Sequence, residues 1–220
     1  MNRRPFLKKL TLVTSGVTAM PFITFGKMHF PKSSKLRFIV ASDGHYGQPK
    51  TDFEGFHKQL IEAVNSEKEV DFVVFNGDLI HDEPSLMPKV KAVYDKLNVP
   101  YFPVKGNHDR ISEKDWETIW GIPADFAFTS KENFGIILAN SSNQAGEYLC
   151  VDTEFLKSKL VGFKSLSHVF IFIHISQNDW TRHGVSCGEV LELIGAYPNV
   201  KAIFHGHDHD VDGIMLNRKK

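Results

Sequence analysis

The chain has 220 residues, of which 42% are hydrophobic and 24% charged, and its formal net charge is zero. This composition suits one compact domain with a sizeable core and leaves no room for a second large domain. Five of the 26 bases and none of the 26 acids lie within residues 1–30, so the remainder is acidic by about five charges and lacks the basic stripe that a nucleic-acid binder needs.

Residues 1–30 are predicted to be an export segment rather than part of the fold. The stretch Asn2–Lys8, in which Arg3 and Arg4 precede Phe-Leu-Lys, resembles the twin-arginine export motif. The weakly apolar stretch 10–25 is too short and too polar to predict a membrane span. We therefore expect the twin-arginine machinery to export the protein to the periplasm or cell envelope of a bacterium. An ordinary secretory signal or a disordered tail is the alternative, and without a clear cleavage site retention as a membrane anchor stays open.

From residue 35 onward, apolar runs that favour strands alternate with amphipathic stretches that favour helices. Six runs are predicted as strands: Leu36–Ser42, Asp71–Asn76, Pro100–Lys105, Phe134–Asn140, Val169–Ile173 and Val200–Phe204. Helices are predicted after Thr51, over Leu86–Leu97, from Ser112 to Trp120, over Asp152–Leu160 and over Glu189–Ile194. The alternation indicates one α/β domain, residues 35–220, with a mostly parallel or mixed sheet flanked by helices.

Two of the predicted helices begin at recognisable caps. Thr51, with Glu54 three residues later, forms a capping-box pattern and is the predicted N-cap of the first helix. Ser112 is the predicted N-cap of the third helix, and Gly121 is its predicted stop.

Polar residues follow five of the six predicted strands at the point where each strand ends. They belong to the motifs Asp43-Gly-His45, Gly77-Asp78, Gly106-Asn107-His108-Asp109 and Gly206-His207-Asp208-His209, and to the single His174. In open α/β sheets the carboxyl ends of the strands form the edge where ligands bind. We therefore expect these five loops to converge on one site.

The donor set of these motifs is typical of a site for hard or borderline metal ions. It comprises three oxygen donors and four imidazoles without a thiolate: Asp43, His45, Asp78, Asn107, His174, His207 and His209. Such ligands favour Mn, Fe or Zn. Two ions roughly 4 Å apart can share a bridging hydroxide, which attacks phosphorus in line while the ions polarise the phosphoryl oxygens. His108, next to Asn107, is placed to protonate the leaving group.

The order D-x-H, GD, GNH, H and GHxH, complete between Asp43 and His209, resembles the calcineurin-like metallophosphoesterase superfamily. The resemblance implies a four-layer αββα sandwich of two mixed β-sheets flanked by helices. It implies that one ion is held by Asp43, His45, Asp78 and His209. It implies that the other is held by Asp78, Asn107, His174 and His207, with His108 as the leaving-group residue.

The sequence departs from some branches of this superfamily. Protein serine/threonine phosphatases carry an acid three residues after the bridging Asp, where this chain has His81 followed by Asp82. A protein phosphatase is therefore disfavoured, and the carboxylate that orients His108 is not identified. The segment Ser141–Leu160 resembles, more loosely, the linker of members similar to cyclic-nucleotide phosphodiesterases. Only 11 residues follow His209, where relatives usually add strands, so we expect a shortened form or a fragment.

Several residues near the motifs have weaker signals. Arg110, Trp180 and Arg182 are candidates for binding the substrate, with solvated or packing roles as the alternative. His205 is expected to stabilise its turn rather than bind metal. Asp82 and Asp208 are candidate partners of the ligating imidazoles.

The two cysteines, Cys150 and Cys187, have no metal-binding spacing. A single disulfide is compatible with an exported protein. Two cysteines do not form the disulfide framework that is typical of small secreted domains, however, so the sequence favours buried free thiols.

Taken with the motifs, the sequence predicts an enzyme, a dinuclear metal-dependent hydrolase of phosphate esters acting on a small phosphomonoester or phosphodiester. The alternative is a catalytically inactive scaffold of the same fold that binds a protein partner. The chain has every predicted ligand and the complete motif that contains His108, which disfavours the scaffold. A nuclease is disfavoured by the acidic body of the chain.

Overall fold

The computed structural model describes residues 35–210 and 213–214, so the predicted export segment 1–30 lies outside the described residues. The strands in this range are β1 (Phe38–Ala41), β2 (Phe72–Asn76), β3 (Tyr101–Val104), β4 (Phe126–Ser130), β5 (Phe134–Ala139), β6 (His168–Ile173) and β7 (Val200–Phe204). The α-helices are α1 (Phe53–Ser66), α2 (Met87–Tyr94), α3 (Glu113–Trp120), α4 (Thr153–Gly162) and α5 (Gly188–Gly195).

The strands form two sheets. β1, β2 and β3 make a parallel sheet in that order. The second sheet has the order β4-β5-β6-β7, in which β4 is antiparallel to β5 and the other neighbours are parallel. Two sheets flanked by helices are the predicted fold class, which is confirmed.

The layers follow from alternation along each central strand, because successive strand side chains point to opposite faces. Ile136 and Leu138 of β5 belong to the core between the two sheets. Ile137 and Ala139 belong to a second core with residues of α4 and α5. In the first sheet, the Phe75 ring stacks on Tyr94 of α2 at 3.7 Å, on the face turned away from the second sheet. Helices therefore cover both outer faces.

Aromatic rings fill the space between the sheets. Phe38 of β1 makes edge contacts with Phe170, Phe172 and Phe204, with ring centroids 5.4 to 5.7 Å apart. Phe72 of β2 packs against Phe128 in the same way at 5.6 Å. Burying such rings stabilises the sandwich through their large apolar area, and this rigid core holds the strand ends that carry the predicted site.

The structure corrects two details of the predicted elements. The N-cap of α1 is Asp52, whose Oδ1 accepts the amide of Gly55 at 3.0 Å, whereas Thr51 donates its hydroxyl to the Gln48 carbonyl. A carboxylate both accepts this bond and suits the positive end of the helix. Strand β4 was not predicted.

The third helix matches its cap signals. The Ser112 hydroxyl accepts the amide of Asp115, and Gly121 ends the helix with a φ of +74°. The prediction of a Ser112 cap and a Gly121 stop is confirmed.

Cys150 and Cys187 form a disulfide with their Cα atoms 5.6 Å apart, so the expectation of free thiols was wrong. The bond is possible because two loops separated by 37 residues meet beside the second sheet, which cysteine spacing does not reveal.

Among the helices of the described residues, none combines the length and apolar character needed to cross a membrane.

Candidate metal centre

The predicted donors converge at the carboxyl ends of the strands. Five of them lie no more than three residues after the end of a strand. They are Asp43 after β1, Asp78 after β2, Asn107 after β3, His174 after β6 and His207 after β7. His45 and His209 lie on the same loops as Asp43 and His207. Parallel strands end at one edge, so side chains far apart in the sequence become neighbours here.

Asp78 lies at the middle of the cluster and is 1% exposed. One carboxylate oxygen, Oδ1, accepts the backbone amide of His108 at 2.8 Å. The other, Oδ2, is 3.1 Å from Nε2 of His174 and 3.7 Å from Nε2 of His45. A carboxylate in this position can bridge two cations.

The donors form two groups, and Asp78 belongs to the second and faces His45 of the first. The first comprises Asp43, His45 and His209, and the second comprises Asp78, His174 and His207. Within each group the potential ligand atoms lie within 4.8 Å of one another. Such spacing allows all members of a group to contact one ion.

Unpartnered polar atoms in this cluster fit metal binding. Asn107 Oδ1, His174 Nε2 and both ring nitrogens of His207 are buried and have no hydrogen-bond partner among the described residues. His174 Nε2 is close to Asp78 but poorly aligned for a hydrogen bond with it. Buried polar groups are almost always satisfied, and cations in the two groups would satisfy these atoms.

Backbone strain is concentrated at the same edge. Asp43, His45, Asp78 and His207 all have φ between +41° and +73°, the left-handed region that few residues other than glycine adopt. Each such residue costs on the order of 1–3 kcal/mol, which the surrounding structure must offset. The strain turns the four side chains inward at the strand ends.

Glycines permit the close packing of these loops. A Cβ on Gly77 would lie 2.3 Å from the His174 ring, and one on Gly106 would lie 2.2 Å from the Asp78 backbone nitrogen. Any larger residue at either position would displace a candidate ligand. This is the physical reason for the glycines that precede Asp78 and Asn107 in the motifs.

The pKa shifts favour neutral imidazoles at two of the ligands. Burial lowers the pKa of His45 to about 4 and that of His207 to about 4. Burial also opposes the charged form of His174, but the carboxylate of Asp78 outweighs it and raises the pKa of His174 to about 9. His174 in turn holds the pKa of Asp78 below its usual range, against the effect of burial. A cation bound here would replace the proton of His174.

His108 contacts a carboxylate on another loop. Its Nδ1 lies 3.0 Å from Oδ1 of Asp82, and Nε of Arg110 lies 2.7 Å from the same oxygen. The backbone amide of Asp82 also donates to the His108 carbonyl at 3.0 Å. Asp82 is therefore the group that orients His108, rather than a partner of a predicted ligand.

Asp109 braces the loop that carries Asp78. Its Oδ1 accepts the amides of Leu79 at 2.8 Å and Ile80 at 3.1 Å, and its Oδ2 accepts the amide of Gly106 at 2.7 Å. Burial raises the pKa of Asp109 to about 7, and the nearby Asp78 adds to this shift. The fourth letter of the Gly-Asn-His-Asp motif thus joins the loops after β2 and β3.

The remaining predicted residues lie around the rim. Trp180 and Arg182 are exposed on the loop between β6 and α5, and the Trp180 ring lies 6.2 Å from that of His205. His205 Nδ1 lies 2.8 Å from the Ile173 carbonyl, so its expected role in the turn is confirmed. Asp208 accepts the amide of Asp210 and braces its own turn.

Sequence reasoning missed two residues of the site. The ring of Tyr148 meets that of His207 edge-on at 4.7 Å, and His81 lies between His45 and His108. Tyr148 comes from the connection between β5 and α4, which carries no ligand motif. For His81 the available signal was its position three residues after Asp78, where the sequence departs from the protein phosphatases.

A cavity of about 320 Å³ opens beside Asp43 and Gly44. Apolar side chains at the start of α1 line its other side, including Phe53 and Phe56. Phe56 is 63% exposed. An apolar group of a ligand bound beside Asp43 would contact this surface.

Comparison with known proteins identifies the family of the chain and a solved structure with a similar fold. The sequence profile described as calcineurin-like phosphoesterase matches residues 36–211. The chain is 23% identical over 176 residues to a probable cyclic nucleotide phosphodiesterase from Psychrobacter arcticus, covering 71% of this chain and 62% of the relative. This chain thus spans less than two thirds of that relative's length. The crystal structure of a dimetal phosphatase from Danio rerio superposes with a TM-score of 0.63 at 17% identity, covering 80% of this chain and 82% of that one, which supports the fold.

Proposed function

The chain belongs to the calcineurin-like phosphoesterase family, and on that premise we propose that it is a metal-dependent hydrolase of small phosphomonoesters or phosphodiesters. The observation that carries this proposal is the position of Asp78 between two groups of donors. A buried carboxylate that belongs to one group and faces a histidine of the other suits a pair of divalent ions.

The assignment of ligands follows the two groups. We assign Asp43, His45, Asp78 and His209 to the first cation site. The second cation site takes Asp78, Asn107, His174 and His207. When bound, two divalent ions supply a nucleophile at neutral pH and positive charge for the phosphoryl oxygens. The donors favour Mn, Fe or Zn.

The protein residues supply the proton for the leaving group. His108 is partly exposed, with 31% of its side chain accessible, and it lies next to the second-site ligand Asn107. Asp82 accepts from its Nδ1, which leaves Nε2 to carry a proton toward the departing alkoxide.

Groups around the rim would bind the rest of the substrate. Arg110 is close enough to His108 to meet a phosphate oxygen, although Asp82 holds its Nε. The ring of Tyr148 contacts His207 of the second cation site, and Trp180 and Arg182 are exposed on the loop that follows β6 and His174. The name of the Psychrobacter relative supports a phosphodiester as the substrate class.

We further propose that the protein is exported through the twin-arginine machinery. The paired arginines Arg3 and Arg4 support this, and so does the disulfide between Cys150 and Cys187, because disulfides persist in oxidising compartments. Replacing both arginines by lysine in a bacterial host should leave the protein in the cytoplasm. The amino-terminal sequence of exported protein would show whether the segment is cleaved or remains as a membrane attachment.

The hydrolase is tested with protein loaded with Mn and offered para-nitrophenyl phosphate and bis-para-nitrophenyl phosphate. We expect turnover of at least one ester and its loss on Asp78→Asn. Protein that demonstrably binds metal but hydrolyses neither ester would instead favour the scaffold that binds a protein partner. Turnover of DNA alone would favour a nuclease.

A further inference from the structure

His81 lies between a ligand of the first cation site and the proposed proton donor. Its Nδ1 is 3.2 Å from Nδ1 of His45. Its ring is stacked on that of His108, with centroids 5.2 Å apart and planes 9° apart. Its other nitrogen, Nε2, is 3.9 Å from Oδ2 of Asp82. Three groups of the site therefore meet at one side chain that no motif identifies.

Binding of a cation by Nε2 of His45 would fix which nitrogen of His45 carries the proton. Nε2 of His45 faces Asp78 at 3.7 Å, and this nitrogen must be free of a proton to bind a cation. The proton of the neutral ring then lies on Nδ1 and needs an acceptor. Nδ1 of His81 is within range at 3.2 Å, in the place that the Asn76 carbonyl takes for Nδ1 of His174.

The same contact determines the tautomer of His81. If its Nδ1 accepts from His45, its own proton lies on Nε2, the nitrogen that faces the carboxylate of Asp82. At 3.9 Å this is an electrostatic contact rather than a hydrogen bond. Asp82 thereby favours the required tautomer of His81 while it orients His108.

We propose that His81 is a positioning residue for the first cation site, where it accepts the Nδ1 proton of His45 and holds that ring with Nε2 toward the ion. This inference rests on the proposed metal centre. Partners of this kind typically change metal affinity by about 10- to 100-fold when they are removed. The second cation site uses neither His45 nor His81, so its affinity should not change.

Metal binding by the apoprotein tests the proposal without reliance on turnover. Metal-free full-length protein is titrated with Mn by isothermal titration calorimetry, and bound metal is counted by elemental analysis. Wild-type protein should bind two ions. His81→Phe keeps the stacked ring but has no acceptor, so one of the two sites should weaken by about 10- to 100-fold. His81→Asn places an amide oxygen near the position of Nδ1, so it should keep most of the wild-type affinity.

The order of the variants separates the proposed role from packing. A residue that only packed against His108 would tolerate Phe better than Asn, the reverse of the expected order. Equal affinity of His81→Phe and wild type at both sites would overturn the proposal, as would equal weakening by Phe and Asn. If the Phe variant does not fold, His81→Ala takes its place and should weaken the same single site.

A matched control comes from another histidine. His168, at the opposite end of β6 from the metal centre, packs on Phe134, so His168→Phe should leave both affinities unchanged. Wild-type protein that binds two Mn ions without hydrolysing any ester would contradict the hydrolase and leave the His81 comparison intact. Wild-type protein that binds no Mn would overturn both.

Discussion

His108 and Asp82 show how a single contact between loops determines the chemistry of a side chain. Asp82 follows Asp78 by four residues, one more than the spacing of the acid in protein serine/threonine phosphatases. The motif spacing therefore did not identify it. The structure identifies it because the loops after β2 and β3 lie side by side, joined by the backbone bond from Asp82 to His108.

We predict that Asp82→Asn slows hydrolysis most for substrates whose leaving group must be protonated as it departs. An amide oxygen is a weaker acceptor than a carboxylate, so it holds His108 less firmly for proton transfer, and turnover of phenyl phosphates should fall about 10-fold or more. Turnover of para-nitrophenyl phosphates should fall far less, because nitrophenolate leaves without a proton. The measurement is kcat for both leaving groups at equal metal content.

An equal fall in kcat for both leaving groups would contradict this role of Asp82. His108→Ala provides the reference, since it should show the same dependence on the leaving group with a larger loss.

At the residue scale, the sequence motifs identified side chains that the structure brings together, but not the contacts that support them. The donors belong to short motifs in which each position has a local cause, such as Gly77, which must admit the His174 ring. His81 and Tyr148 act through contacts with residues far away in the sequence. Such contacts leave no spacing pattern in a single sequence.

The elements of secondary structure were predictable where their local signals agreed. β7 has the predicted bounds, and the buried run of β2 was recognisable because both of its faces are covered. β4 was missed because Phe126–Ser130 is short and follows a proline-containing turn. It is a strand because it pairs antiparallel with residues 134–138 of β5, a tertiary effect.

Asp125 joins β4 to β5 and leads to a prediction about pH. It directly precedes β4, and its Oδ1 accepts the amide of Asn140 at 2.8 Å. Burial raises its pKa from 3.8 to about 6. The folded protein therefore binds this proton more tightly than the unfolded chain does, so stability from this group falls as the pH rises from about 4 to 6.

We predict that Asp125→Asn stabilises the protein above pH 6 and does little near pH 4. The amide keeps the acceptor for Asn140 and removes a buried charge, a gain on the order of 2 kcal/mol at neutral pH. Thermal unfolding of both proteins from pH 4 to pH 8 measures it. A stability difference that does not change with pH would contradict the account.

Across the whole molecule, the site depends on loops held together from several directions. The disulfide between Cys150 and Cys187 joins the connection after β5 to the loop after β6. Gln177 adds to this link, since its Oε1 accepts the amide of Val151 at 2.9 Å. These contacts hold Tyr148 against His207.

The fold class was predictable from the alternation of helices and strands in the sequence. The division into two sheets came from the family resemblance, because a single sequence does not specify which strands pair.

We predict that replacing both cysteines by alanine lowers the free energy of unfolding by roughly 3–4 kcal/mol, as expected for closing a loop of this length. A reductant should lower the melting temperature of the wild-type protein and leave that of the double variant unchanged. Equal melting temperatures of oxidised and reduced wild-type protein would contradict a stabilising disulfide.

The most direct test of the metal centre is a crystal of the manganese-loaded protein with anomalous difference maps calculated at the manganese edge. We predict two peaks about 4 Å apart, with Asp78 contacting both, His45 and His209 contacting one, and His174 and His207 contacting the other. A single peak, or two peaks that do not share Asp78, would contradict a dinuclear centre built from these residues.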